Sequence, residues 1–351
     1  MCHRFVAPSQ FETRQTPYLI EVSTYAFLRL GALLSLLGLI VSCAPTVSTT
    51  LPSLTDLPPP ARLPGLGRSA YVLLEGERIY YEVGGQGSPV VLVHGIGAGN
   101  SSHLWRQNTA AITKQHRVYA FDWPGFARSG ARAIQYTNDL YTKVLTAFIR
   151  EVVREPVAIV AGSLGSDYSI RVAAENPDLI TRMLLSNPTG YDQFGSGDKE
   201  GRAFLTTNSR RNQEFYDRLS QSFLGDLIFS TVASEGGLNF FLYFFVYLNQ
   251  GLVTPDLTQI YLQNLQGPSK QYAPFSFFAG FLEQPLSDFW PRTRQPTLLV
   301  WGSDDVFTPI RFAEPMLKAR PEVRMEVLPA RAIPYDEAFE AFNRIALGFL
   351  R

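Results

Sequence analysis

Ser163 is the residue of this chain best set for nucleophilic chemistry. It lies in Ala161-Gly162-Ser163-Leu164-Gly165, a small-x-Ser-x-small turn after the apolar run Val157–Val160 and before a helical stretch from Ser166 to Ala174. A sharp strand-to-helix bend of this kind lifts a hydroxyl from the end of a sheet. The backbone N–H of Leu164 would then open a helix, where an oxyanion is stabilised. Small side chains at Ala161 and Gly165 suit a chain that folds back on itself. The competing reading is an ordinary Gly-Ser turn. A serine hydroxyl also needs a base to take its proton. The four histidines, His3, His94, His103 and His116, all precede Ser163.

The elements that must position this turn follow from the hydrophobic pattern. Ala70–Leu74 and Arg78–Val83 alternate about Glu75-Gly76-Glu77, which predicts an antiparallel hairpin. Val90–Val93 is a continuous apolar run ending in His94-Gly95-Ile96-Gly97-Ala98-Gly99, a buried strand opening into a glycine-rich loop. That loop has no Lys-Ser/Thr for a Walker motif, and its spacing differs from the dinucleotide fingerprint. Further strands are expected at Arg117–Phe121, Thr181–Leu185, Thr297–Trp301 and Val323–Leu328, with a helix from about Asn138 to Arg154. Strands alternating with helices predict a mostly parallel, doubly wound sheet.

Four ordered motifs carry a resemblance. They are His94-Gly95, Asp122-x-Pro-Gly-x-x-x-Ser-Gly130, Ala161-Gly-Ser-x-Gly165 and Trp301-Gly-Ser-Asp-Asp-x-x-x-Pro309. In order and spacing this set resembles the α/β-hydrolase fold superfamily over about residues 70 to 351, interrupted by a dissimilar middle. The resemblance implies Ser163 as nucleophile, Asp305 rather than Asp304 as the acid, and the N–H groups of Ile96 and Leu164 as an oxyanion hole. His94 is expected to shape its loop rather than catalyse. The superfamily's histidine follows the last strand in a Gly-His-x-Pro segment. Here that segment reads Arg331-Ala332-Ile333-Pro334, so Ala332 stands at the histidine position and the ordinary triad cannot be assembled. Two substitutes are expected candidates. His103 could act as base, since it titrates in the right range, although no spacing aims it at Ser163; its alternative is a surface or lid-facing role. Arg331 could instead pair with Asp305, because a guanidinium keeps its proton.

The resemblance divides the chain into a core at 69–190 and 291–351 and a helical lid insertion at 191–290. Phe240-Phe241-Leu242-Tyr243-Phe244-Phe245-Val246-Tyr247-Leu248 and Phe275-Ser276-Phe277-Phe278 lie in that insertion. They could line a pocket for a hydrophobic ligand, form a buried helix, or contact a membrane, because a run apolar on every side must be covered.

The first stretch is of another character. Leu30–Val41 is an apolar run of secretory length with Arg14 and Arg29 before it, ending in Ile40-Val41-Ser42-Cys43. It is shorter than the roughly 20 residues of a membrane span. The ending resembles a bacterial lipobox, which implies a signal peptide at 1–42 and lipidation of Cys43; an uncleaved anchor and an early start codon are the alternatives. Residues 43–68 are rich in Pro, Ser and Thr and read as a tether. The expected location is therefore the cell envelope, on a lipid anchor facing the periplasm or exterior.

Composition is that of an ordinary globular protein: 351 residues, 46% hydrophobic, 18% charged, with formal net charge +0. That balance gives no sign of a nucleic-acid binder. With Cys2 and Cys43 as the two cysteines, a mature chain would form no internal disulfide, and no metal or cofactor is expected. The expected partner is a small hydrophobic or acyl compound. Two functions follow: serine hydrolase-like action on an ester or similar acyl compound, or a degenerate hydrolase that binds a hydrophobic ligand or partner without turnover. A serine at the nucleophile position argues against the dehalogenase and epoxide hydrolase branches, which use aspartate there.

Overall fold

In the computed structural model the described residues are 62–189 and 209–351. Cys43, the signal segment, most of the 43–68 tether and the first part of the 191–290 insertion lie outside them. Alternation in Arg68–Leu74 (β1) and Glu77–Gly84 (β2) gives the expected hairpin, and Glu75 and Gly76 close it with φ of 52° and 77°. Positive φ at both turn residues matches the twist of the flanking strands.

The continuous apolar runs form the interior of one sheet. They are β3 (Pro89–Val93), β4 (Arg117–Phe121), β5 (Val157–Gly162), β6 (Ile180–Ser186), β7 (Thr297–Gly302) and β8 (Arg324–Leu328). The eight strands lie in the order β1-β2-β4-β3-β5-β6-β7-β8. Strands β3 to β8 pair in parallel, and β2 is antiparallel to both its neighbours. Successive side chains point to opposite faces, so each run feeds two cores. Val91, Val93 and Ile159 pack on one face, Val90, Leu92 and Val160 on the other. Because the strands run in parallel, the loops after β3, β5, β6, β7 and β8 all emerge at one end, where ligands bind in open α/β sheets.

Helix α1 (Asn138–Ala147) starts where Thr137 accepts the Leu140 N–H at 3.2 Å, and continues into a π-turn, Phe148–Val153. Helix α2 (Leu164–Glu175) follows Ser163 directly. Between β6 and β7 come α3 (Ser209–Ser220), α4 (Phe223–Val232), α5 (Glu235–Phe241), α6 (Pro255–Asn264) and α7 (Tyr272–Phe278). Side-chain caps Ser222, Ser234 and Thr254 start α4, α5 and α6. Polar links tie this helical region to the core, two of them through buried side chains on or just after α6. Lys270 Nζ donates to the Ala127 carbonyl at 2.6 Å, and Asn264 Nδ2 to the Gly99 carbonyl at 2.8 Å.

The Phe240–Leu248 stretch is not uniformly buried. Helix α5 passes into a π-turn, Leu242–Val246, that turns Leu242, Val246 and Tyr247 inward and leaves Phe244 and Leu248 exposed. Helix α8 (Ala313–Ala319) precedes β8, and α9 (Phe339–Leu350) closes the chain on the β6 side.

Candidate active site

Ser163 caps the end of β5 in a backbone conformation that a serine seldom adopts, with φ of 51° and ψ of −133°. Such a residue costs about 1–3 kcal/mol and needs a surrounding structure that over-determines it. The surroundings do so. The Ser163 N–H donates to the Ser186 carbonyl at 2.8 Å, and its own carbonyl accepts the Ser166 N–H at 2.8 Å. Gly165 is required, since a Cβ there would lie 2.6 Å from the His94 carbonyl oxygen. Gly95 is required for the same reason: its Cβ would lie 2.9 Å from that of Ser163. Ser163 is half-buried, and its hydroxyl has no hydrogen-bond partner among the described residues.

The same close packing brings the loop after β3 against the turn. Leu164 is the first residue of α2, so its N–H has no acceptor within the helix. Ile96 follows Gly95, and its N–H has no acceptor among the described residues. His94 sets the shape of this loop. Its Nε2 accepts the Trp123 N–H at 3.1 Å, so the proton sits on Nδ1 and is donated to the Gly95 carbonyl at 2.8 Å. Burial pushes the His94 pKa down to about 4, which keeps the ring neutral. With both nitrogens engaged it is not available as a base.

Asp305 follows β7 and is buried. Its Oδ1 accepts the N–H groups of Phe307 and Thr308 at 2.8 and 3.1 Å. Its Oδ2 accepts the Thr308 hydroxyl and the side-chain amide of Asn187. Asn187 leaves β6 with φ of 45° and also donates to the Arg331 carbonyl at 3.3 Å, while accepting the Gly302 N–H at 3.2 Å. This amide therefore clamps the acid to the loop that carries Ala332. The sequence offered one sign of Asn187: asparagine tolerates positive φ at a strand end. Nothing there showed that its amide would hold the oxygen a histidine would need.

The Arg331–Asp305 pair expected above does not form. The Arg331 guanidinium donates to the carbonyls of Tyr243, Phe244 and Tyr247 at 3.2, 2.7 and 3.3 Å, at the end of the α5 π-turn. A cation at a helix C-terminus satisfies carbonyls that have no acceptor role within the helix. Gly302 allows this loop to press onto β7: a Cβ there would meet the Arg331 carbonyl oxygen at 2.0 Å.

His103 is not joined to Ser163 by any hydrogen bond. The turn Ser102–Trp105 begins where Ser101 Oγ accepts the His103 N–H, and Asp122 pins Ser102 through its N–H and hydroxyl at 2.8 and 2.7 Å. The ring instead lines a separate cavity of about 300 Å³ with Arg106, Thr254 and Asp256. Burial, helped by the Arg106 and Arg128 charges, lowers its pKa to about 4. Asp167 was missed by the sequence reading. It lies one turn beyond Ser163 on α2, wholly buried, and accepts the N–H and hydroxyl of Thr189. Burial raises its pKa to about 7. Tyr335 was also missed. It is buried over Gly162, where a Cβ would meet its ring at 2.8 Å, and stacks on Trp105 at 4.2 Å between centroids. Among the described residues no cluster of His, Cys, Asp and Glu is arranged to hold a metal.

A model of the alpha/beta hydrolase fold family matches residues 88–332. The chain belongs to the α/β-hydrolase fold family. A 2-hydroxy-6-oxo-6-phenylhexa-2,4-dienoate hydrolase of Burkholderia cepacia is 25% identical over 79% of this chain and 92% of its own. A 2-hydroxy-6-oxononadienedioate/2-hydroxy-6-oxononatrienedioate hydrolase of Comamonas testosteroni is 26% identical over the same shares, 79% and 92%. Among solved structures, an enol-lactonase of Burkholderia xenovorans LB400 aligns with a TM-score of 0.62 and 17% identity, over 80% of this chain and 99% of that one. The latter likeness is one of fold. This α/β-hydrolase has a strained serine turn after β5, a buried Asp305 after β7, and Ala332 in the loop after β8.

Proposed function

We propose that this α/β-hydrolase is a carbonyl-capturing hydrolase of low turnover. In this reading Ser163 faces the carbonyl of a small, largely apolar compound, and the N–H groups of Leu164 and Ile96 receive the developing oxyanion. The observation that carries it is the pairing of a strained, unpartnered Ser163 hydroxyl with an Asp305 whose oxygens are already taken by Asn187, Thr308 and two backbone amides. The first half supports carbonyl binding. The second half leaves no acceptor to orient an imidazolium. An oxyanion hole and binding alone sustain roughly 10³–10⁴-fold acceleration over water when a triad member is absent.

The named substrates of the curated relatives are oxo-dienoates, which supports a conjugated ketone over the ester expected from the sequence. The lipobox-like Cys43 supports a cell-envelope location on a lipid anchor. A fluorophosphonate probe on the full chain, beside Ser163→Ala, tests the reading. Slow labelling that depends on Ser163 and has no inflection near pH 6.5 is expected. Rapid labelling with such an inflection would show a histidine base at work and end the low-turnover reading. No labelling of folded protein would end the carbonyl-capture reading.

A further inference from the structure

Residues 223–246 span helices α4 and α5 and the π-turn after them, and they contain two acids, Asp226 and Glu235, with no lysine or arginine. The two arms meet at 66° and together are apolar enough for a membrane span, although no single described helix is long and apolar enough to cross one. In a water-soluble lid helix the apolar side would face the core. Here a large part of it faces outward. Phe223 is 81% exposed and Leu224 59%, on the first turn of α4, and Phe244 on the π-turn is 55% exposed. The π-turn is continuous with a second apolar surface from the core. Phe307 lies 5.8 Å from both Phe241 and Phe245, ring to ring, and is itself exposed together with Val306. Those two residues directly follow Asp305, so the apolar surface reaches the end of the sheet that carries Ser163.

The sequence points to what would cover it. The described chain begins at Arg62, about 19 residues after Cys43, and a chain of that length reaches at most about 65 Å. The apolar run Leu30–Val41 and the lipobox-like Cys43, that many residues before Arg62, would put a bilayer within reach of the chain. We propose that the tips of α4 and the α5 π-turn, with Val306 and Phe307, dock onto the acyl boundary of a lipid bilayer. The contact is apolar rather than electrostatic, because the segment carries no basic residue. It therefore works on zwitterionic lipid and survives high salt, unlike attachment through a basic face. The docking stands independently of the chemistry at Ser163.

The test uses the full chain with Cys2→Ser and Cys43→Ser, reconstituted into phosphatidylcholine vesicles and recovered by flotation. One cysteine is introduced at Phe223, Phe244 or Lys114 and labelled with a polarity-sensitive dye. Phe223 and Phe244 are exposed, so Phe223→Cys and Phe244→Cys leave the core intact. Lys114 is exposed just before β4, at the opposite end of the sheet from Ser163. Dyes at 223 and 244 are expected to shift to the blue. Shallow nitroxide lipids should quench them about twofold or more beyond the dye at 114, as for an apolar face seated about 5–10 Å deep. The difference should persist in high salt. Failure to float, or equal emission and quenching at all three positions, overturns the proposal.

Discussion

Placing a histidine at position 332 should fail to supply a base alone and succeed only when Asn187 is removed as well. Ala332 is partly buried in the loop after β8, and its N–H reaches the Val246 carbonyl at 3.3 Å. An imidazole placed there needs Asp305 Oδ2 as acceptor, but that oxygen already receives Asn187 and Thr308. Ala332→His alone is thus expected to change the Ser163-dependent rate by less than about tenfold, since a general base contributes its roughly 10²–10⁴ only when oriented. Asn187→Gly removes the amide and suits the φ of 45°. It also leaves the Gly302 N–H and the Arg331 carbonyl short of a partner, at a cost of about 1–3 kcal/mol. The double variant should therefore be less stable, yet react about 10²–10⁴ times faster with a fluorophosphonate or an activated acyl compound. Its rate should fall below about pH 6.5 as the imidazole protonates. Rates and pH profiles of wild type, both single variants and the double variant decide the matter. A double variant no faster than wild type, or Ala332→His as fast as the double, would refute the reasoning that Asn187 keeps Asp305 from a base at position 332.

Other perturbations separate structural from chemical roles. Asp167 has its pKa raised from 3.8 to about 7 by burial, so the folded state holds the proton more tightly and loses stability as pH rises from about 4 to about 7. Asp167→Asn should remove that dependence and raise the Tm relative to wild type above pH 7, with an upper bound of about 4 kcal/mol; equal Tm values across this range would contradict the assignment. Arg331→Met removes three bonds to the π-turn carbonyls and should cost about 1–3 kcal/mol in urea unfolding. Because the guanidinium does not reach Asp305, Ser163 labelling should be unchanged, and lost labelling in folded protein would count against this placement. Gly165→Val should abolish labelling more completely than it lowers stability, since its side chain must displace the His94 carbonyl beside Ser163. A variant that labels normally would show the turn to be less constrained than the packing indicates.

The strands and the serine turn were legible in the sequence because they are local facts. Val90–Val93 and Val157–Ala161 are buried on both faces, so each had to be a continuous apolar run, and a bend that tight admits only small residues around Ser163. That all four histidines precede Ser163, and that residue 332 is alanine, could be read directly from the sequence. The fate of Asp305 and Arg331 could not. Opposite charges in neighbouring loops suggested a pair. In the folded chain, Asn187, 118 residues from Asp305, reaches the acid first, and the π-turn of α5 supplies carbonyls for the guanidinium. The exposure of Phe244 was also beyond pattern reading, because one extra residue in a helical turn rotates the side chains that follow. Sequence by itself determined which residue types this α/β-hydrolase brings to the sheet's end and which it lacks. Only the tertiary structure decided which hydrogen bonds they make there, since each lone pair goes to the donor that packing across distant segments places nearest.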